Sequence, residues 1–412
     1  MSVRKHPFSC ICEEDENEDE NEDENENENE DENEAPSLFG MIESGSVKNL
    51  TLINIDINGS IDIGAIAGYV VDVEISGCHA SGEIVGKLYE CGGLIGCCDT
   101  IKMVDCHSEV NITVTPENSD NYCVGGLIGY ICDHGEVINC SATGDIKGPG
   151  CVGGLIGSIN KGTVDGCSTS NQSVTGMSEV GGLIGSVDND DSVIKDCHCD
   201  NVTVGVFNNE NDYDVGGLIG YVYGDSEITN CYATEGEVKG AFGIGGLIGS
   251  IDKGTVDRCY TTNQKITGNG YLGGLVACIN NSTVVIKNSH CDNVNISVYD
   301  SIFEGEVDEM PPSNIGGIVA CNSGTVTGCY TSGTLKGTFI IGGIIGMNGD
   351  YSYSCYGVAN NLKSECDITG YDYLGGIIAY HSYGEYSNLE YNGTGPTAIV
   401  DPSYTPSAIG EL

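Results

Sequence analysis

Ten positions along the chain place a ring or a small hydroxyl directly after a regularly recurring cysteine: His79, His107, Ser141, Ser168, His198, Tyr232, Tyr260, His290, Tyr330 and Tyr356. The residues before them are Cys78, Cys106, Cys140, Cys167, Cys197, Cys231, Cys259, Ser289, Cys329 and Cys355. Neighbours on a strand point to opposite faces, so a buried cysteine column implies an outward ring column. Such a stripe, with Tyr232, Tyr260, Tyr330 and Tyr356 as its tyrosines, gives a sugar or a protein side chain a surface to stack on. The competing reading is ordinary β-propensity, since tyrosine suits strands anyway. His79 and His107 are weak metal candidates, two imidazoles on neighbouring repeats with no third ligand evident from spacing.

Serine replaces cysteine once, at Ser289, without breaking the pattern, so the inner column asks for something small and not for a thiolate. Buried thiols acting as small hydrophobes are expected there. Zinc would need ligands converging from several directions, which side chains stacked in parallel do not offer. Cys123 with Cys151, and Cys278 with Cys321, occupy matched places on neighbouring repeats and are the better disulfide candidates.

A second source of chemistry is a set of three longer loops, residues 115–123, 205–214 and 297–314. Each mixes carboxylates (Glu117, Asp120; Glu210, Asp212; Asp300, Glu304, Glu306) with rings (Tyr122; Phe207, Tyr213; Tyr299, Phe303). They are expected to project from one side, roughly 14 Å apart, as a surface for a glycan or a protein. Insertions tolerated at a corner are the alternative. No cofactor is expected beyond weak calcium capture by these acidic loops or by the acidic tail.

Catalysis has less support. The run DNDD at Asp188 to Asp191 supplies carboxylates that a polysaccharide hydrolase would need as a pair, but acids are common throughout this chain. A lyase acting on a polyanion needs basic groups, and Lys and Arg together number 15. Gly-x-Ser-x-Gly, His-Glu-x-x-His and phosphate-loop patterns are absent.

All of these residues hang on one repeating phrase. Gly-Gly-Leu-Ile-Gly or a variant begins at Gly64, Gly92, Gly125, Gly153, Gly181, Gly216, Gly245, Gly273, Gly316, Gly342 and Gly375, most often 28 residues apart. A period of this size implies a stack whose units touch only their neighbours. Each unit shows three short β-like runs, illustrated by VGGLIGSI, TVDGCSTS and QSVTG, with turn residues between. That pattern predicts an all-β, elongated, right-handed parallel β-helix of about 11–12 rungs, rising about 4.8 Å per rung. Leu155, Gly157, Ile159 and Cys167 should point inward. Ile156 recurs as an apolar column that strict alternation would turn outward, so either the strand bends there or an apolar stripe is exposed. Units 92 residues apart match most closely, as in VGGLIGSINKGTVDGCSTSNQSVTG from Val152 and IGGLIGSIDKGTVDRCYTTNQKITG from Ile244, so three rungs form the copied block.

The net charge of −46 argues against nucleic acid and anionic membrane surfaces as partners, both of which need a cationic footprint. Residues 13–34 alone hold sixteen carboxylates and six asparagines with nothing apolar, a composition that predicts disorder. The expected organisation is an acidic tail over 1–36, the repeat β-helix over 37–398 and a C-terminal tail over 399–412. Neither a signal-peptide core, a transmembrane helix nor an anchor is visible.

The repeated VGGLIG, the β run ending in NCYAT or RCYTT and the closing VKG or ITG resemble GLUG-motif repeats, a likeness that extends over residues 40–392. The resemblance implies a repetitive part of a bacterial or archaeal surface or secreted protein: a non-catalytic, adhesin-like or spacer module, carrying no catalytic residues, located outside the cell. With no export signal in view, a cytoplasmic location stays open. A polysaccharide-active β-helix enzyme and a purely structural or self-assembling module are the alternatives; oligomeric state is left undetermined.

Overall fold

The computed structural model describes residues 37–87, 89–115, 122–207, 214–299, 313–349 and 355–395. Among them the structure is all β, a parallel solenoid of about eleven turns. The Gly-Gly strands stack into a ten-stranded parallel sheet, and the remaining 37 strands form the rest of the wall. No helix among the described residues is long and apolar enough to cross a membrane.

The turn beginning at Cys151 shows how the sequence winds. It contains five short strands, Cys151–Gly153, Ile156–Ile159, Gly162–Asp165, Ser168–Ser170 and Ser173–Gly176, where the sequence predicts three runs. The two extra corners fall inside the runs VGGLIGSI and TVDGCSTS. At the first, Gly154 and Leu155 bend between strands, so Leu155 and Ile156 are both fully buried and no apolar stripe is exposed. The bend has its own hydrogen-bond pattern: the amides of Leu155 and Ile156 both donate to the carbonyl of Leu183 on the next turn, at 2.8 and 3.0 Å. Leu218, Leu247 and Leu275 repeat this double acceptance up the stack. A Cβ on Gly154 would strike the carbonyl of Gly182, which accounts for the second glycine on the inner turns of the stack; the first turn carries Ala65 at this place.

The second extra corner precedes the cysteine column. Asn139, Gly166, Asp196, Asn230, Arg258, Asn288 and Gly328 occupy it with φ between 52° and 64°, the left-handed region that glycine and asparagine adopt most cheaply. Arg258 is the exception in residue type, not in conformation.

Inside, the aliphatic columns form one continuous core from Ile57 to Ile378. Each large side chain buried this way contributes roughly 1.5–3 kcal/mol. The cysteine column is buried with it, and Ser289 shows what the place requires. The Cys140 amide donates to Cys167 Sγ at 3.4 Å, and that thiol donates to the Asp165 carbonyl at 3.4 Å. Ser289 Oγ does the same work, accepting from the Cys259 amide at 3.1 Å and donating to the Lys287 carbonyl at 2.8 Å. Burial pushes the neighbouring Cys91, Cys98 and Cys199 thiols well up, so they are poor nucleophiles. Cys123 lies in register with Cys151 and Cys278 with Cys321, as their spacing predicts, and neither pair is joined by a disulfide.

Candidate functional site

The ring column is continuous and its register is fixed by strand pairing. His79 pairs with His107, His107 with Ser141, Ser141 with Ser168, Ser168 with His198, His198 with Tyr232, Tyr232 with Tyr260, Tyr260 with His290 and His290 with Tyr330. Tyr356 does not belong to it, contrary to the sequence expectation. The strand Gly357–Thr369 pairs so that Lys363 lies beside Tyr330, and Leu362, not Cys355, falls under Cys329. SCYG at Ser354 to Gly357 imitates the ladder phrase, while NNLK at Asn360 to Lys363 actually takes its place, with Asn361 in the left-handed corner conformation. Lys363 Nζ sits 5.7 Å from the Tyr330 ring centroid, whereas Tyr356 meets Tyr383 edge-on at 5.1 Å.

In the middle of the column four rings are stacked: His198 on Tyr232 at 4.8 Å, Tyr232 on Tyr260 at 4.8 Å and Tyr260 on His290 at 5.0 Å, with planes within 11°. The faces of Tyr232 and Tyr260 are therefore covered by neighbouring rings, and only edges and hydroxyls reach solvent. A sugar cannot stack on those two faces; a ligand must approach them edge-on. Carboxylates line the same face two residues further along each histidine strand. Asp200 Oδ2 is 3.6 Å from His198 Nε2, and Asp292 Oδ2 is 3.6 Å from His290 Nε2. Asp200 also accepts from the Thr234 hydroxyl of the next turn. At the far end Tyr330 donates to Glu365 Oε2 at 3.1 Å.

The other end of the column differs. His79 and His107 stack at 5.3 Å with planes 7° apart, and Glu109 joins them from the strand His107–Val114. One donor atom from each of these three residues lies within 4.8 Å of the others. Glu109 is a third donor group that sequence spacing did not reveal. The available signal was its i+2 offset from His107, which puts both side chains on one strand face.

The three loops leave and return at one corner. They follow the strands His107–Val114, Thr203–Val206 and His290–Val298 and re-enter at Cys123–Gly125, Val215–Gly216 and Asn314–Gly316, three turns apart. Tyr213 and Phe303, with Glu117, Asp120, Glu210, Asp212, Asp300, Glu304 and Glu306, lie outside the described residues. Tyr122, expected as an exposed contact, is 3% exposed and packs against Tyr89 at 6.2 Å, because it is already entering the wall at the next strand. Phe207 is half-buried under Lys147, whose Nζ lies 4.9 Å from the ring centroid. Tyr299 is half-buried, its amide donating to the Gly268 carbonyl at 3.3 Å. The described rings of the loops are thus tied to the wall and do not come together.

Carboxylates also gather at the entry to the Gly-Gly strands, a feature that sequence reasoning missed. Glu90 and Asp62, on adjacent turns, are buried together; burial first, then the bond to Asp62, pushes the Glu90 carboxyl up to about 9. Asp214 accepts from Ser250, and burial pushes its carboxyl up to about 7. Asp188, first of the DNDD run, accepts from Ser158 at 2.6 Å and from Ser186, and burial also raises it. Glu179 accepts from Tyr223 at 2.5 Å and from Cys151 at 2.9 Å.

Residues 120–147 and 211–238 match the model of the GLUG motif, so the chain carries GLUG repeats. The matched stretches contain the strands Cys123–Gly125 and Val215–Gly216, three turns apart, equivalent turns of successive blocks. A 95-residue stretch, 23% of the chain, is 30% identical to an immunoglobulin A1 protease of Streptococcus pneumoniae and 32% identical to one of Streptococcus sanguinis. It spans only 5% of those relatives' length. No solved structure matches.

Proposed function

We propose that the chain is a non-catalytic repeat module of a surface-associated or secreted protein, and that it holds a basic protein segment along its ring and carboxylate column. One observation carries this reading: the stack His198, Tyr232, Tyr260, His290 keeps its tyrosine faces covered and offers edges, hydroxyls and the flanking Asp200 and Asp292 instead. Ring edges are the positive rim of the π-system and sit against carboxylates; the outer rim of carboxylates then suits lysine or arginine. The chain's net charge of −46 adds long-range attraction for a cationic partner. The outside location rests on the GLUG repeats and on the partial likeness to immunoglobulin A1 proteases, whose whole length this chain does not approach.

Binding of the full chain to parallel arrays of basic peptides and of glycans tests the reading. Retention on basic peptides that falls when Tyr232 and Tyr260 are replaced by alanine, and that weakens with salt, is the expected result. Binding confined to glycans, or unaffected by the double substitution, overturns it. A hydrolase reading is favoured by a specific feature, the raised carboxyls of Asp188 and Asp214 on neighbouring turns. Release of new reducing ends from an acidic polysaccharide, abolished by Asp214→Asn, would establish that reading instead.

A further inference from the structure

Two imidazoles and one carboxylate converge at the N-terminal end of the ring column, and the described residues hold no second group of this kind. We propose that His79, His107 and Glu109 bind one divalent transition-metal ion, with Zn2+ and Cu2+ as its class. The site is separate from the four-ring stack and does not depend on the partner proposed above.

Three observations carry it. The donors come from adjacent turns whose register is fixed along the whole pair of strands, from His79 opposite His107 to Gly86 opposite Val114, so the distance between the two histidine backbones is set by the wall. His107 Nε2 and Glu109 Oε1 are already 3.3 Å apart, the edge length that two bonds of about 2.0–2.1 Å make around a tetrahedral ion. His107 Nδ1 is 2.8 Å from Ser141 Oγ on the following turn. With Nδ1–H donating to that hydroxyl, the lone pair is left on Nε2, facing Glu109, which is how an outer partner orients a metal-binding imidazole.

The one adjustment needed is at His79. Its ring lies parallel to that of His107, so the two lone-pair directions run side by side instead of meeting. A tilt of the His79 side chain, which is only half-buried, closes the set. Binding therefore exchanges the ring stack for a bridge between turns. Imidazole with a single carboxylate suits zinc and copper, whereas calcium requires an all-oxygen shell that this site lacks. Solvent completes the coordination, and the bridge ties together two turns that otherwise share only strand hydrogen bonds and packing.

Copper titration of the full chain followed by electron paramagnetic resonance counts nitrogen ligands without altering a residue, and zinc calorimetry gives the affinity. The acidic segment over residues 13–34 and His6 supply competing weak sites, so the readout is the tight first equivalent. Two coordinated nitrogens and a one-to-one zinc phase are expected. His107→Ala, His79→Ala or Glu109→Gln should each weaken that phase by at least about tenfold, a loss that even outer partners of metal ligands produce. Ser141→Ala should weaken it less, and His198→Ala, a single histidine beside its own aspartate, should leave it unchanged. A tight phase that survives in the His79→Ala/His107→Ala double variant, or a copper signal with fewer than two nitrogens, overturns the proposal. Because the copper signal is read on the unaltered chain, a variant that fails to fold does not spare it.

Discussion

Two stretches of the same column, His79 with His107 and the four rings from His198 to His290, share backbone geometry and differ only in which rings fill it. In the first, donor atoms of two stacked imidazoles and of Glu109 lie within 4.8 Å of one another; in the second, tyrosines separate the two histidines and every inner face is taken by a neighbouring ring. The solenoid thus sets spacing once for all turns. Chemistry is assigned turn by turn, by a single residue following the buried cysteine.

The same turns also differ in the acids at the entry to their Gly-Gly strands, and here the largest effect is expected. Asp214 lies on the turn of Tyr232, and its carboxyl is held near 7 against a reference of 3.8. Below about pH 3 it is neutral folded or unfolded; as pH rises to 7 the unfolded chain ionises while the folded chain resists, so stability falls and then levels off. The loss amounts to about 4 kcal/mol at most. On the turns of His79 and His107, Asp62 and Glu90 share burial and Glu90 is raised to about 9. Hydrogen exchange from pH 4 to 9, corrected for intrinsic rates, should show protection of the middle turns levelling near 7, while the N-terminal turns go on weakening toward 9. Asp214→Asn should flatten the middle response only. Parallel responses of both regions would break the comparison.

Next in size is a transplant. Tyr232→His beside His198 and Asp200 rebuilds two imidazoles and a carboxylate at a ring spacing of 4.8 Å, closer than the 5.3 Å of the N-terminal pair. Zinc calorimetry should gain a second tight equivalent, about a hundredfold tighter than the background of surface acids, or about 2.7 kcal/mol. If no second equivalent appears, ring identity alone does not distinguish the two stretches, and the Ser141 contact to His107 becomes the deciding element.

A smaller effect follows from removing a ring in the middle. Tyr260→Ala uncovers one face each of Tyr232 and His290 and should cost about 1–2 kcal/mol, two stacking contacts at roughly 0.5–1.5 kcal/mol apiece less what the neighbours recover. His79→Ala, at the end of a two-ring stack, removes only one contact and should cost about half as much in the metal-free chain. Chemical denaturation of the two variants gives the ratio, and equal losses would mean that the middle stack adds nothing beyond burial.

How far these regions could be read beforehand depends on whether the information was periodic. The parallel wall, the inward Leu155, Ile159 and Cys167 and the outward ring column follow from alternation repeated in register. Ile156 needed the corner at Gly154 and Leu155, a backbone bend that alternation cannot express. Cys355 and Tyr356 misled because a local phrase matched while the register had already passed to Leu362 and Lys363. Glu109 was missed since the histidines were read for their rings alone, although the acid two residues on recurs as Asp200 and Asp292, and the buried pair of Asp62 and Glu90 since each acid is unremarkable until two turns are stacked. Repetition makes the scaffold readable; single departures from it carry the chemistry and are visible only in three dimensions.

The gap between the two stretches offers the finest test. Ser141 and Ser168 fill the column where rings are missing, and Ser168 pairs directly with His198. Ser168→Tyr would lay a ring on the His198 face that no tyrosine covers, lengthening the stack from four rings to five and stabilising the solenoid by about 0.5–1 kcal/mol. Because Ser168 lies two turns from His107, with Ser141 between them, the first zinc equivalent should be unchanged by this substitution. The expected signature is increased exchange protection confined to the strands Ser168–Ser170 and His198–Asp200. Should protection fall instead, the serines are there to end the stack because the wall leaves no room for a ring at that turn, and the separation of a metal-binding end from a ring-stacked middle is built into the backbone as well as into the side chains.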